Sequence, residues 1–174
     1  MDSQFSHFEE RIRRIAERSP GMPIENVMLT RMFFYAFKAL EDSANLFLAE
    51  YGLNNTHYIA LMLIYASEGN MLNPCKLSES LLSSRANITR LMDELVENGW
   101  VERQGSMEDR RRVELSLTSA GVALIEKILP RNWERINNIW ADFSAEEIDL
   151  TGNMLRKLLS RIGQVDADEH ACQT

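Results

Sequence analysis

The sequence predicts a mainly α-helical fold that carries one small β-hairpin, and three observations lead to it. Apolar residues recur at intervals of three and four over most of the chain, the repeat of amphipathic helices. Between Trp100 and Leu117 the repeat drops to two, the repeat of strands. Helix start signals (Asn, Ser, Thr) and stop signals (Gly, Pro) punctuate the periodic stretches.

Ser6 to Glu17 repeats apolar residues at Phe8, Ile12 and Ile15 and stops at Ser19-Pro20-Gly21, which predicts a short separate helix. A long helix is expected from Glu25 to Tyr51, with Leu29, Phe33, Phe37, Leu40, Ala44 and Leu48 on one side and Gly52 ending it. Asn54 or Asn55 can cap the next helix, Thr56 to Ser67, because a short side-chain oxygen accepts an unpaired N–H of the first turn. Asn73-Pro74 opens a third, short helix whose buried side is Leu77, Leu81 and Leu82, with Pro where its missing N–H costs nothing. A fourth runs from about Ser84 to Glu97, with Ile88, Leu91, Met92 and Leu95 inward, and Asn98-Gly99 stops it.

Trp100 to Gln104 and Arg112 to Leu117 then read as two strands around a turn at Gly105 to Asp109. Thr118 caps a helix that should reach Phe143 with a kink at Pro130. Ser144-Ala-Glu-Glu147 has the form of a capping box and opens the last helix, apolar through Ile162, before a polar tail from Asp166. A short helix, a tight turn and a second helix make a helix-turn-helix, and the hairpin after it makes a wing.

Composition narrows the functions open to such a fold. With 174 residues, 45% of them hydrophobic and 26% charged, the chain fits one globular domain with helical extensions. The longest apolar stretch, Tyr58 to Ala66, falls short of the roughly 20 residues of a membrane span. The first residues, Met1 to Arg18, alternate charges and lack a secretory core, so a cytoplasmic location is expected. Cys75 and Cys172 are far apart, and His7, His57 and His170 are scattered, so no metal, disulfide framework or thiol sensor is expected. No nucleophile–base pair or phosphate loop points to an enzyme.

A net charge of -7 argues against a general nucleic-acid coat, since phosphate binding depends on Lys and Arg. The chain is positive only locally. Arg85 and Arg90 lie between Ser83 and Met92 without an acid, and Arg103, Arg110, Arg111 and Arg112 face only Glu108 and Asp109 in their segment. On the second helix of the motif, Ser83, Ser84, Arg85, Asn87, Thr89 and Arg90 are candidate contacts to bases and phosphates, while Asp93, Glu94 and Glu97 sit in its C-terminal half. That asymmetry suits a helix entering the major groove N-terminus first; the alternative is an ordinary solvated face.

Ser84-Arg-Ala-Asn-Ile-Thr-Arg-Leu-Met-Asp-Glu-Leu, Asn98-Gly-Trp-Val-Glu-Arg, Asp109-Arg-Arg and Leu117-Thr-Ser-Ala-Gly121 occur in consecutive order. Together they resemble the signature of MarR-family regulators over about Leu29 to Ile162, and within that family the EmrR/MprA-like branch that represses multidrug efflux genes. The resemblance implies a winged helix-turn-helix repressor. It further implies that Arg111, held by Asp109, enters the minor groove, with Arg110 and Arg112 on phosphates.

It also implies a homodimer built from the terminal helices, reading a palindromic operator on double-stranded DNA. The expected organisation is residues 1–53 and 119–165 for dimerisation, 54–118 for DNA and 166–174 as the tail. A small aromatic effector is implied, in a cleft drawing on Phe37, Tyr58, Met62, Tyr65 and Arg103, with Arg103 as partner of an acidic group; no cofactor is implied. The rival is a winged-helix activator or architectural DNA binder with no effector.

Overall fold

The computed structural model describes residues 3–81, 84–105 and 113–171, with only the backbone at residues 3–5, 85, 113 and 169–171. Seven helices carry a three-stranded sheet among these residues: α1 (Ser3–Arg18), α2 (Ile24–Leu48), α3 (Asn55–Tyr65), β1 (Met71–Leu72), α4 (Pro74–Ser80), α5 (Arg85–Glu97), β2 (Val101–Gly105), β3 (Val113–Leu117), α6 (Ser119–Ile139) and α7 (Ala145–Ala171). They form two compact units, residues 1–125 and 126–174.

The start signals act as expected. Asn54 rather than Asn55 caps α3, its Oδ1 accepting from the His57 N–H at 2.8 Å. Asn73 Oδ1 accepts from the Cys75 N–H at 2.8 Å, with Pro74 as the first residue of α4. In α7 the Ser144 Oγ accepts from the Glu147 N–H at 3.2 Å while the Ser144 N–H donates to Glu147 Oε2 at 2.8 Å, the reciprocal pair of a capping box. Each such cap stabilises its helix by about 1 kcal/mol.

In the first unit, Leu48, Leu61, Ile64, Leu77, Leu95, Val101, Leu115 and Ile125 are fully buried, each worth roughly 1.5–3 kcal/mol against exposure. They come from α2 to α6 and both long strands, so one core fixes the helix-turn-helix against the hairpin. Separately, Ile12 of α1 is buried with Met28 of α2, against Met22, Ile24 and Val27.

Three features depart from the sequence reading. The sheet has a third strand: β1 pairs antiparallel with β3 through Met71–Ser116 and Leu72–Leu115, giving the order β1-β3-β2. Two residues are too few for an alternating pattern to show. Ser116, a polar residue that alternates in sequence with Leu115 and Leu117, is buried, with its hydroxyl donating to Glu102 Oε1 at 3.3 Å. The polar stretch from Asp166 continues α7 as helix to Ala171, since Ala and Glu favour helix and Gly163 is a single interruption.

The long helix α2 also differs from a core helix. Of its apolar residues only Met28, Ala44 and Leu48 are buried, whereas Leu29, Phe34, Phe37, Leu40 and Leu46 are exposed. In the second unit Trp133, Ile148, Leu150, Met154 and Leu159 are exposed as well. Among the described residues no helix is long and apolar enough to cross a membrane.

Candidate nucleic-acid interface

The exposed side of α5 is set by its cap and its apolar rows. Ile88, Leu91, Met92 and Leu95 face the core, which leaves Ser84, Asn87, Thr89 and Arg90 exposed in the N-terminal half. The Ser84 Oγ accepts from the Asn87 N–H at 3.3 Å, and the remaining free N–H groups of the first turn give this end a partial positive charge. Arg90 is 78% exposed, its Nε 3.7 Å from Glu94 Oε1. The structure thus brings Ser84, Asn87 and Arg90 together at three-residue spacing. Arg85 is the first helical residue, and Thr89 lines a different groove, beside Cys75 and Met92.

Two acids of the C-terminal half, Asp93 and Glu94, are engaged. Glu94 Oε2 lies 2.8 Å from Nε2 of His57. The other ring nitrogen, Nδ1, accepts from the Asn54 N–H at 3.4 Å, so one neutral tautomer, with its proton on Nε2, satisfies both contacts. His57 therefore links the cap of α3 to α5. Asp93 forms an ion pair with Arg103 of β2. Carboxylates held this way present less uncompensated negative charge beside a phosphate backbone.

The hairpin pairs Val101 with Leu117 through Gly105 with Val113. It is anchored to α5 and α6 by the Asn98-Gly-Trp and Thr-Ser-Ala-Gly segments. Gly99 ends α5 in the left-handed conformation (φ 73°), and the Trp100 N–H returns to the Leu95 carbonyl at 3.1 Å. Thr118 Oγ1 donates to the Gly99 carbonyl at 2.7 Å and accepts from the Gly121 N–H at 3.0 Å. Gly121 is required by contact: a Cβ there would overlap the Trp100 carbonyl oxygen and sit 3.2 Å from Leu117 Cδ2. These two sequence signatures are thus one joint that sets where the wing leaves the domain. Ser83, Asp109, Arg110, Arg111 and Arg112 lie outside the described residues.

The residues expected to hold an effector divide. Phe37, 64% exposed, lines a cleft of about 440 Å³ between α2, the start of α3 and α5, together with Glu41, Ile59, Leu91 and Glu94. Tyr58, Met62 and Tyr65 are half-buried along α3 and are not among the described residues of that cleft. Arg103, expected to meet an acidic ligand, forms an ion pair with Asp93. The sequence reading missed His57 and Glu94. The spacing of Asn54 and His57 is that of a capping box and could have flagged the histidine, but its partner lies 37 residues on, beyond any local pattern. Among the described residues no group of three or more His, Cys, Asp or Glu is placed to hold a metal ion.

Comparison with known proteins agrees with this layout. The profile of the MarR family matches residues 53–113, from the residue before the α3 cap to the first residue of β3. The transcriptional repressor MprA of Escherichia coli K12 is 35% identical over 168 residues, which cover 97% of this chain and 96% of MprA. The fold is similar to that of a mutant of Escherichia coli MarR solved with operator DNA, with a TM-score of 0.71 and 24% identity over 78% of this chain and 96% of that one. It is equally similar to that of Staphylococcus aureus MepR in its DNA complex, with a TM-score of 0.71 and 21% identity over 77% of this chain and 97% of that one.

Proposed function

The chain belongs to the MarR family, and from that premise we propose that it is a DNA-binding transcriptional repressor, not an enzyme, which binds a palindromic operator as a homodimer and is released by small aromatic ligands. One observation carries the DNA reading: the N-terminal half of α5 exposes Ser84, Asn87 and Arg90 at the positive end of the helix, while the acids Asp93 and Glu94 are paired. Ser83, Ser84, Arg85, Asn87, Thr89 and Arg90 then address one major groove. Asp109, Arg110, Arg111 and Arg112, between the two long strands in sequence, address the neighbouring minor groove and phosphates.

The exposed apolar residues Leu29, Phe34, Leu40 and Leu46 of α2 and those of α7 support the dimer, because exposed apolar patches of this kind mark association surfaces. Residues 1–53 and 119–165 supply it, and 54–118 form the reading head. Two such heads reach half-sites about one helical turn apart. The controlled genes are those of efflux or stress responses in the cytoplasm, by analogy with the MprA-type relative.

Fluorescence anisotropy with duplexes from the DNA upstream of the chain's own reading frame tests the proposal. One palindromic duplex should bind with a Kd on the order of 10⁻⁸ M or below and exceed scrambled duplexes by about a thousandfold. Equal affinity for scrambled DNA would leave an architectural binder as the better reading. A panel of aromatic acids and drug-like amines added to the complex tests the effector arm.

A further inference from the structure

The cleft that contains Phe37 differs in chemistry from a site for aromatic acids. Its apolar lining is Phe37, Ile59, Leu81 and Leu91, and two carboxylates line it from different elements, Glu41 on α2 and Glu94 on α5. Arg90, the one arginine among its described lining residues, has a side chain that is 78% exposed. Both carboxylates are held by exposed cations of their own helices, Glu41 by Lys38 at 3.3 Å and Glu94 by Arg90 at 3.7 Å; Glu94 also meets His57. Exposed pairs of this kind contribute little and exchange easily. An acid entering here would meet two carboxylates, and Arg103 is not among the described residues of this cleft.

We infer that this cleft binds a lipophilic aromatic cation, its ring on Phe37 and its charge between Glu41 and Glu94, and that such a ligand excludes operator DNA locally. The inference rests on the effector reading above and gives it a site and a charge. Phe37 adds a cation–π face on the apolar side. Asn87 and Arg90 line the same cleft and also belong to the proposed DNA face. A bound cation therefore lies against the reading helix of the same protomer and repels Arg90 from its seat on Glu94. Ligand and operator contend for one pair of side chains, with no change required in the spacing of the two heads.

Tetraphenylphosphonium and tetraphenylborate are nearly isosteric and opposite in charge, so titrating each into the full-length protein by calorimetry isolates the charge term. The phosphonium should bind at least about tenfold more tightly than the borate, as expected for a cation beside two carboxylates. Glu41→Gln, which touches no DNA-facing residue, should weaken phosphonium binding roughly two- to fivefold at an unchanged melting temperature. Phe37→Ala should weaken it too, whereas Met62→Ala should not. The phosphonium should also displace operator. Equal or tighter borate binding, or phosphonium affinity indifferent to both Glu41→Gln and Phe37→Ala, overturns the inference. If aromatic acids release the operator and the phosphonium does not, the effector reading stands and this cleft is not its site. If neither ion and no acid binds, both readings fall.

Discussion

His57 and Glu94, 37 residues apart, meet at 2.8 Å and join the cap of α3 to the exposed side of α5. The same histidine takes part in a reciprocal cap with Asn54, so one ring serves the start of one helix and the middle of another.

His57→Ala should therefore destabilise the fold by about 1–2 kcal/mol, the scale of a lost cap plus a lost charge-assisted hydrogen bond. Urea midpoints of His57→Ala, Glu94→Ala and the double variant form a cycle. A coupling of at least about 0.5 kcal/mol is expected for residues in contact. Strict additivity would show that the contact is absent in solution.

Gly121→Ala places a methyl group on the Trp100 carbonyl oxygen and should cost about 1–3 kcal/mol, as overpacking against backbone does. Gly105→Ala is the control, because nothing lies within 4 Å of a Cβ there and its φ is ordinary. Denaturation curves that ranked the two alike would contradict the close joint between α6 and the end of α5.

Thr118→Val keeps the shape of the side chain and removes both the donor to Gly99 and the acceptor for Gly121. A loss near 1 kcal/mol is expected, with Thr118→Ser recovering most of it. A valine variant as stable as the parent would mean that packing alone holds this corner.

Light scattering after gel filtration should give twice the 20.0 kDa chain mass at micromolar concentration. Leu159→Glu, on an exposed apolar residue of α7, should shift the balance toward monomer and weaken operator binding with it. A parent protein that runs as a monomer yet binds palindromic DNA tightly would remove the dimer from the proposal.

Arg111→Ala should reduce operator affinity by about 1–3 kcal/mol at an unchanged melting temperature, with Arg85→Ala relaxing base preference within the half-site. Unchanged operator affinity for the Arg111 variant would falsify the assignment of the wing to DNA.

Local chemistry made much of this legible from sequence alone. The helices, their caps at Asn73, Thr118 and Ser144, the stop at Gly99 and the two long strands follow from periodicity and from which side chains can satisfy free backbone groups. The consecutive motifs from Ser84 to Gly121 carried the family. Contacts between residues distant in sequence left no such trace. The strand at Met71–Leu72 exists only because β3 offers it an edge, and Arg103 is the partner of Asp93 only because β2 packs beside α5. The family resemblance implied Phe37, Tyr58, Met62, Tyr65 and Arg103 as one effector set. Folding divided that set: Phe37 lines the α2–α3–α5 cleft, while the other four are not among its described residues. Helical repeat sets which side of a helix is apolar, but only the packing of neighbouring elements decides which of those apolar residues share a cavity.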